Sequence, residues 1–191
     1  MGKSHALRKR WAHEVLLLFE AKDHADVAYL LDVLRRDPRH RSMAAKFLGE
    51  LRVREAVRPL MQLLGAGDRV TRSSAAEALA AIGDPEAVPA LLERLRDEKE
   101  VVPRTFAITA LGNLKDVRAL NPLCELLTDE DVLVRQSAAN ALGVLGSPDA
   151  LEPLRNALPT ERWYDRGRHR QAIRKLRRHR PGGGAQLTAP E

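Results

Sequence analysis

The stretch TRSSAAEALAAIGDPEAVPALLERL, Thr71 to Leu95, decides the fold. Ala75, Ala76, Leu79 and Ile82 follow Arg72 at offsets +3, +4, +7 and +10, which trace one face of an α-helix. Gly83-Asp84-Pro85 then breaks the helix and supplies turn and cap residues for a second one. Pro89 falls near the start of that second helix, where its missing N–H costs little. The stretch therefore predicts two short helices, A and B, around one corner. Arg72 at its head is either a hand for a ligand or a structural rung.

Working outward, the pattern recurs. Arg41, Arg72, Arg104 and Arg135 are spaced 31, 32 and 31 residues apart. Leu48, Leu79, Leu111 and Leu142 stand at +7, and Gly49, Ala80, Gly112 and Gly143 at +8. Pro59, Pro89, Pro122 and Pro153 follow, each near the start of a helix B. A glycine inside a helix costs roughly 1 kcal/mol against alanine. Three at one register position therefore predict close approach by a neighbouring helix. Neither apolar face of such a unit is covered until units stack.

Weaker copies lie at both ends. Arg10 with Leu17 stands one repeat before Arg41, and Arg166 with Ile173 and Leu176 one repeat after Arg135. There His169 and Arg170 replace the alanines, as a polar terminal cap requires. The predicted units lie near 6–36, 37–67, 68–99, 100–130 and 131–159, with a cap helix in 160–180. Residues 181–191 read as a disordered tail.

Composition agrees with an all-α chain: the 191 residues include only 3 Phe, 2 Trp and 2 Tyr, too few to build sheets on aromatic pairs. The single Cys124 can form no internal disulfide, and no apolar run reaches membrane-spanning length, so a cytoplasmic protein is expected. The net charge of +6 is unevenly spread. Residues 162–180 hold nine Arg or Lys against Asp165, and residues 1–10 hold four cations and no acid, which leaves 11–161 at net −5.

DRVTRSSAAEALAAIGDPEAVPALLERL (68–95) and DVLVRQSAANALGVLGSPDALEPLRNAL (131–158) resemble HEAT-like repeats of the phycobilisome-lyase type. The resemblance extends over about residues 10–178. It implies a right-handed α-solenoid, an armadillo-like superhelix of about five and a half helical hairpins. It is specific for fold and poor for function, because this superhelix serves lyases, hydroxylases, DNA glycosylases and scaffolds.

Candidate sites follow from the register. The ladder Arg41, Arg72, Arg104 and Arg135 is expected to be structural, each arginine bonding loop carbonyls or an acid of an adjacent unit, with Asp37, Asp68, Glu100 and Asp131, four residues before each arginine, as the acids at hand. Helix B lines the concave side in the solenoids this chain resembles. Its predicted solvent row, Asp32, Gln62, Glu93, Glu125 and Asn156, is neutral to acidic and lacks aromatics, which suits a protein partner better than nucleic acid. The basic patch of Arg166, Arg168, Arg170, Arg174, Lys175, Arg177, Arg178 and Arg180 is either a binding footprint or a charged cap, with Trp163 plugging the last unit.

The histidines lack repeating metal-ligand companions and read as surface or capping residues; Cys124 reads as a small buried hydrophobe. No metal, cofactor or catalytic grouping is expected. The expected function is a non-catalytic adaptor that binds a protein partner through the helix B surface and the basic cap. The alternative is a nucleic-acid-associated protein using residues 162–180, and the third reading a lyase-like subunit handling a chromophore-bearing protein.

Overall fold

The computed structural model describes residues 2–158 and 166–178, with side chains from Ala12 onward. Every regular element among them is helical. The helix A series is α1 (Gly2–Asp23), α3 (Arg41–Glu50), α5 (Arg69–Ile82), α7 (Val101–Leu114) and α9 (Val132–Leu145). The helix B series is α2 (Val27–Arg36), α4 (Val57–Leu63), α6 (Val88–Asp97), α8 (Leu120–Glu125) and α10 (Leu151–Ala157); α11 (Gly167–Arg178) follows as a lone last helix. Five pairs and a single helix make an α-solenoid.

Local chemistry sets the boundaries. Asp68 accepts from the Thr71 N–H at 2.7 Å and Asp131 from the Leu133 N–H at 2.7 Å, capping α5 and α9. Helix A ends on a left-handed residue in four units. Gly83 and Gly146 take φ of 79° and 85°, and Arg52 and Lys115, at the same register position, take 53°. A 3-10 turn then leads into each later helix B, as at Pro85–Ala87 and Pro148–Ala150. The repeated prolines fall in the first turn of helix B, among N–H groups that have no helical partner.

The A helices stack directly on one another: α3 on α5, α5 on α7, α7 on α9 and α9 on α11. Each helix B from α2 to α10 packs against the helix A that follows it. One continuous core results, from Leu18 and Leu30 at one end to Ile173 and Leu176 at the other. The register glycines explain the close stacking. A Cβ on Gly49 would lie 2.7 Å from the Ala78 Cα, and one on Gly112 would lie 2.7 Å from the Ala141 Cα. Glycine is there to let two backbones meet.

Candidate functional site

The four arginines share a register but not a partner. Arg72, 6% exposed, donates through Nε to Glu98 at 2.7 Å and through Nη2 to Glu100 at 2.6 Å. Its Nη1 donates to the Ala66 and Gly67 carbonyls, at 2.9 and 3.1 Å. Arg94 also donates to Glu98, at 2.8 Å, so one buried carboxylate serves two guanidinium groups. Burial alone would raise the Glu98 pKa; the Glu100 N–H and the two arginines outweigh it and hold it down.

Arg104 reaches Asp129 at 2.6 Å, Arg135 donates to the Asp129 and Glu130 carbonyls, and Arg41 to those of Leu34 and Arg35. Arginine thus bonds carbonyls of the segment just before its own helix, or acids in the segment that ends its own unit and opens the next. The four upstream acids do not share one role. Asp68 and Asp131 cap helices, Asp37 binds Arg39 and His40, and Glu100 accepts from the arginine of the preceding unit. A carboxylate at the N-cap position lies within reach of free N–H groups, and at α5 and α9 capping takes it.

On helix B, Asp32, Gln62, Glu93, Glu125 and Asn156 are all exposed. Asp32 pairs with Arg36 at 2.8 Å. On α11, Arg168, Arg170, Arg174, Lys175, Arg177 and Arg178 are exposed and Arg166 is half-buried, while Ala172, Ile173 and Leu176 face the core. Arg180, Trp163 and the tail from 181 lie outside the described residues. Cys124 is half-buried against the core, and burial raises its thiol pKa.

Sequence reasoning missed a polar cavity at the first two units. It is an open pocket of about 520 Å³ lined by Glu14, Tyr29, Asp32, Asp37, Arg39 and His40, among others. His13 and His24 are exposed, but His40 is only 3% exposed. Its Nδ1 lies 2.9 Å from Asp37 Oδ2, and its buried Nε2 has no hydrogen-bond partner. Burial pushes the Asp37 carboxyl up, but hydrogen bonds from His40 and Arg39 overcome this and bring its pKa to about 2. Arg39 extends the network to Glu14 on α1, at 3.3 Å. The overlooked signal is a break in the register: His40 stands where Thr71, Pro103 and Val134 stand in other units, all of them buried.

A second missed feature is a row of exposed apolar residues two places before the arginines, namely Val70, Val102 and Leu133. Among the described residues, no three His, Cys, Asp or Glu side chains group as a metal site, and no helix is long and apolar enough to cross a membrane.

Known proteins match this geometry. The family model for HEAT repeats matches residues 27–106 and 100–174. Phycocyanobilin lyase subunit alpha of Picosynechococcus sp. is 40% identical over 83 residues, covering 40% of this chain and 31% of the relative. Bilin biosynthesis protein PecE of Mastigocladus laminosus is 32% identical over 116 residues, covering 57% of this chain and 43% of that protein. A chain in the complex of CpcE and CpcF of phycocyanin lyase from Nostoc sp. superposes with a TM-score of 0.64 at 26% identity. That match covers 78% of this chain and 64% of the other. The chain thus spans about a third to under half of these curated relatives.

These matches correct the expectation of a non-enzyme, because the similar chains carry lyase and bilin-biosynthesis names. The expectation rested on finding no short catalytic motif. In a solenoid, side chains about 31 residues apart meet across units, so a site need leave no local motif. The nucleic-acid alternative draws no support from these relatives. The chain belongs to the HEAT-repeat family and is similar to phycobilin lyase subunits.

Proposed function

We propose that the protein is a phycobilin-lyase-type subunit, a HEAT solenoid that acts with a second chain on a chromophore-bearing protein. The observation that carries this reading is the likeness, in sequence and in three dimensions, to chains named as parts of such lyases. The exposed helix B row of Asp32, Gln62, Glu93, Glu125 and Asn156 supports protein docking, since such a row meets a partner without first unfolding anything. The polar cavity supports a part in the chemistry. Asp37 orients His40, and an imidazole held by a carboxylate can take up and return a proton. A buried histidine in place of a repeat's Thr, Pro or Val is costly to retain for packing alone.

The test mixes the purified chain with a related lyase's partner subunit, a chromophore-free acceptor protein and phycocyanobilin. The readout is chromophore that stays on the acceptor after denaturation. The expected result is attachment, or removal from a loaded acceptor, that depends on this chain and falls at least tenfold for His40→Ala with folding retained. Bound chromophore that is indifferent to the chain in both directions refutes the reading.

A further inference from the structure

Among the described side chains, the last helix is unlike the other charged surfaces. α11 carries six exposed cations and no acid over twelve residues. Elsewhere among the described residues, eight arginines are ion-paired to carboxylates, Arg58 to Glu86 and Arg104 to Asp129 among them. Arg168, Arg170, Arg174, Arg177 and Arg178 have no such carboxylate among the described residues.

Helix stability accounts for only part of this arrangement: Lys175, Arg177 and Arg178 suit the last turn, and the rest do not. Arg170, Arg174 and Arg178 succeed one another at i,i+4, a like-charge spacing that weakens a helix. Arg168 and Arg170 stand near the helix N-terminus, where the backbone dipole disfavours cations. The cap's structural work is done by the other face, where His169, Ala172, Ile173 and Leu176 are buried; Gly143 of α9 approaches Ala172 so closely that a Cβ would lie 3.0 Å from its Cα.

We infer that the outer face of α11 is a docking surface for an acidic patch on a partner protein. This rests on the reading that the chain works with protein partners. Charge complementarity selects the partner's sign, and the geometry selects its class. The apolar residues of α11 are already buried in the solenoid, so none is free to enter a bilayer as an interfacial helix requires. α11 spans only about 18 Å at 1.5 Å per residue, and its exposed face has no aromatic residue on which bases stack. The exposed helix B row, with Asp32, Glu93 and Glu125, would repel a long polyanion that continued along the solenoid. A folded acidic surface of limited size satisfies all three conditions.

The test uses the full chain and three labelled probes at 150 mM salt. They are a 20-residue polyglutamate, a 20-nucleotide single-stranded DNA of matching charge, and vesicles of mixed phosphatidylserine and phosphatidylcholine. The variants are the neutralised triple Arg170→Gln, Arg174→Gln, Arg178→Gln and its charge-retaining counterpart with lysine at the same three positions. The expected result is polyglutamate bound more tightly than DNA or vesicles, weakened at least tenfold by the glutamines and retained by the lysines. The glutamine triple should melt at the same temperature as the parent or a few degrees higher, since repulsion is relieved. A fall in melting temperature of more than about 5 °C in the glutamine triple, or failure of that variant to fold, makes the cations part of the cap and overturns the inference. Tighter binding of DNA or vesicles overturns it in favour of those partners. No chromophore enters the measurement, so its failure leaves the lyase reading untouched, and the converse holds.

Discussion

Replacing Gly112 with alanine sets two effects of opposite sign against each other. Alanine in a helix interior is worth about 1 kcal/mol over glycine, so an exposed position would gain stability. Here the added Cβ lies 2.7 Å from the Ala141 Cα, 2.8 Å from its Cβ and 2.9 Å from its carbonyl oxygen. Carbon atoms rest about 3.5–4.0 Å apart, so α7 and α9 must separate by nearly 1 Å. The obstacle is backbone and cannot rotate aside.

Overpacking costs about 1–3 kcal/mol and sometimes more, and parting the helices also loosens the dispersion contacts along the seam. Because the obstacle is backbone the cost lies in the upper part of that range, and less the propensity gain of about 1 kcal/mol we expect Gly112→Ala to destabilise the protein by about 1–2 kcal/mol net. Gly143→Ala, where the Cβ would lie 3.0 Å from the Ala172 Cα, should cost less. Ala80→Gly is the control: its seam already carries alanine at this register position, so the change should cost only the propensity difference of about 1 kcal/mol. Urea titration followed by circular dichroism at the helix band gives all three. A midpoint for Gly112→Ala equal to or above the parent's refutes the close-packing account, and so does a larger loss at Gly143.

Lys115 holds φ of 53° where Gly83 and Gly146 close other units, so Lys115→Gly should stabilise by about 0.5–1 kcal/mol; a lower melting temperature would contradict this. Arg72→Ala leaves Glu98, whose side chain is 2% exposed, with Arg94 as its one cation beside the Glu100 N–H, and should cost about 2–4 kcal/mol in urea unfolding. Arg41→Ala removes only carbonyl bonds and should cost about 1 kcal/mol, so equal losses would show that the Glu98 network adds nothing. Asp37, depressed from 3.8 to about 2, contributes up to about 2 kcal/mol, in full above pH 4 and lost as the pH falls through about 2. Asp37→Asn should flatten that acid limb of the stability curve, and an unchanged limb would exclude Asp37 as its source. Cys124, its thiol pKa raised by burial, should react with iodoacetamide at pH 7 much more slowly than glutathione; labelling at an equal rate would mean the thiol is open.

Much of this was legible in the residues. The +3, +4, +7, +10 pattern after each arginine marked the helix A face, and Ala44, Ala75, Ala107 and Ala138 are all buried there. The glycines at +8 signalled close contact because glycine in a helix needs a reason. The site was less legible. His40 looked like one of several scattered histidines, since burial depends on which helices come together. The loop carbonyls and the acid of an adjacent unit were legible as arginine partners, but spacing along the chain says nothing of the free N–H groups at a helix start that engage Asp68 and Asp131.

By itself the sequence determined that the chain is helical, that its unit is about 31 residues and that its last helix is strongly basic; these are local or periodic properties, written in side-chain type and spacing. Only the tertiary structure decided that Arg72 serves Glu98 and Glu100 of the following segment, that Asp37 and His40 meet beside Glu14 of α1, and that Arg168, Arg170, Arg174, Arg177 and Arg178 have no carboxylate among the described residues. The reason is physical. Side-chain partnerships in a stacked fold form between residues a whole unit apart, and which of several nearby donors and acceptors pair is settled by packing and desolvation once the units are in place.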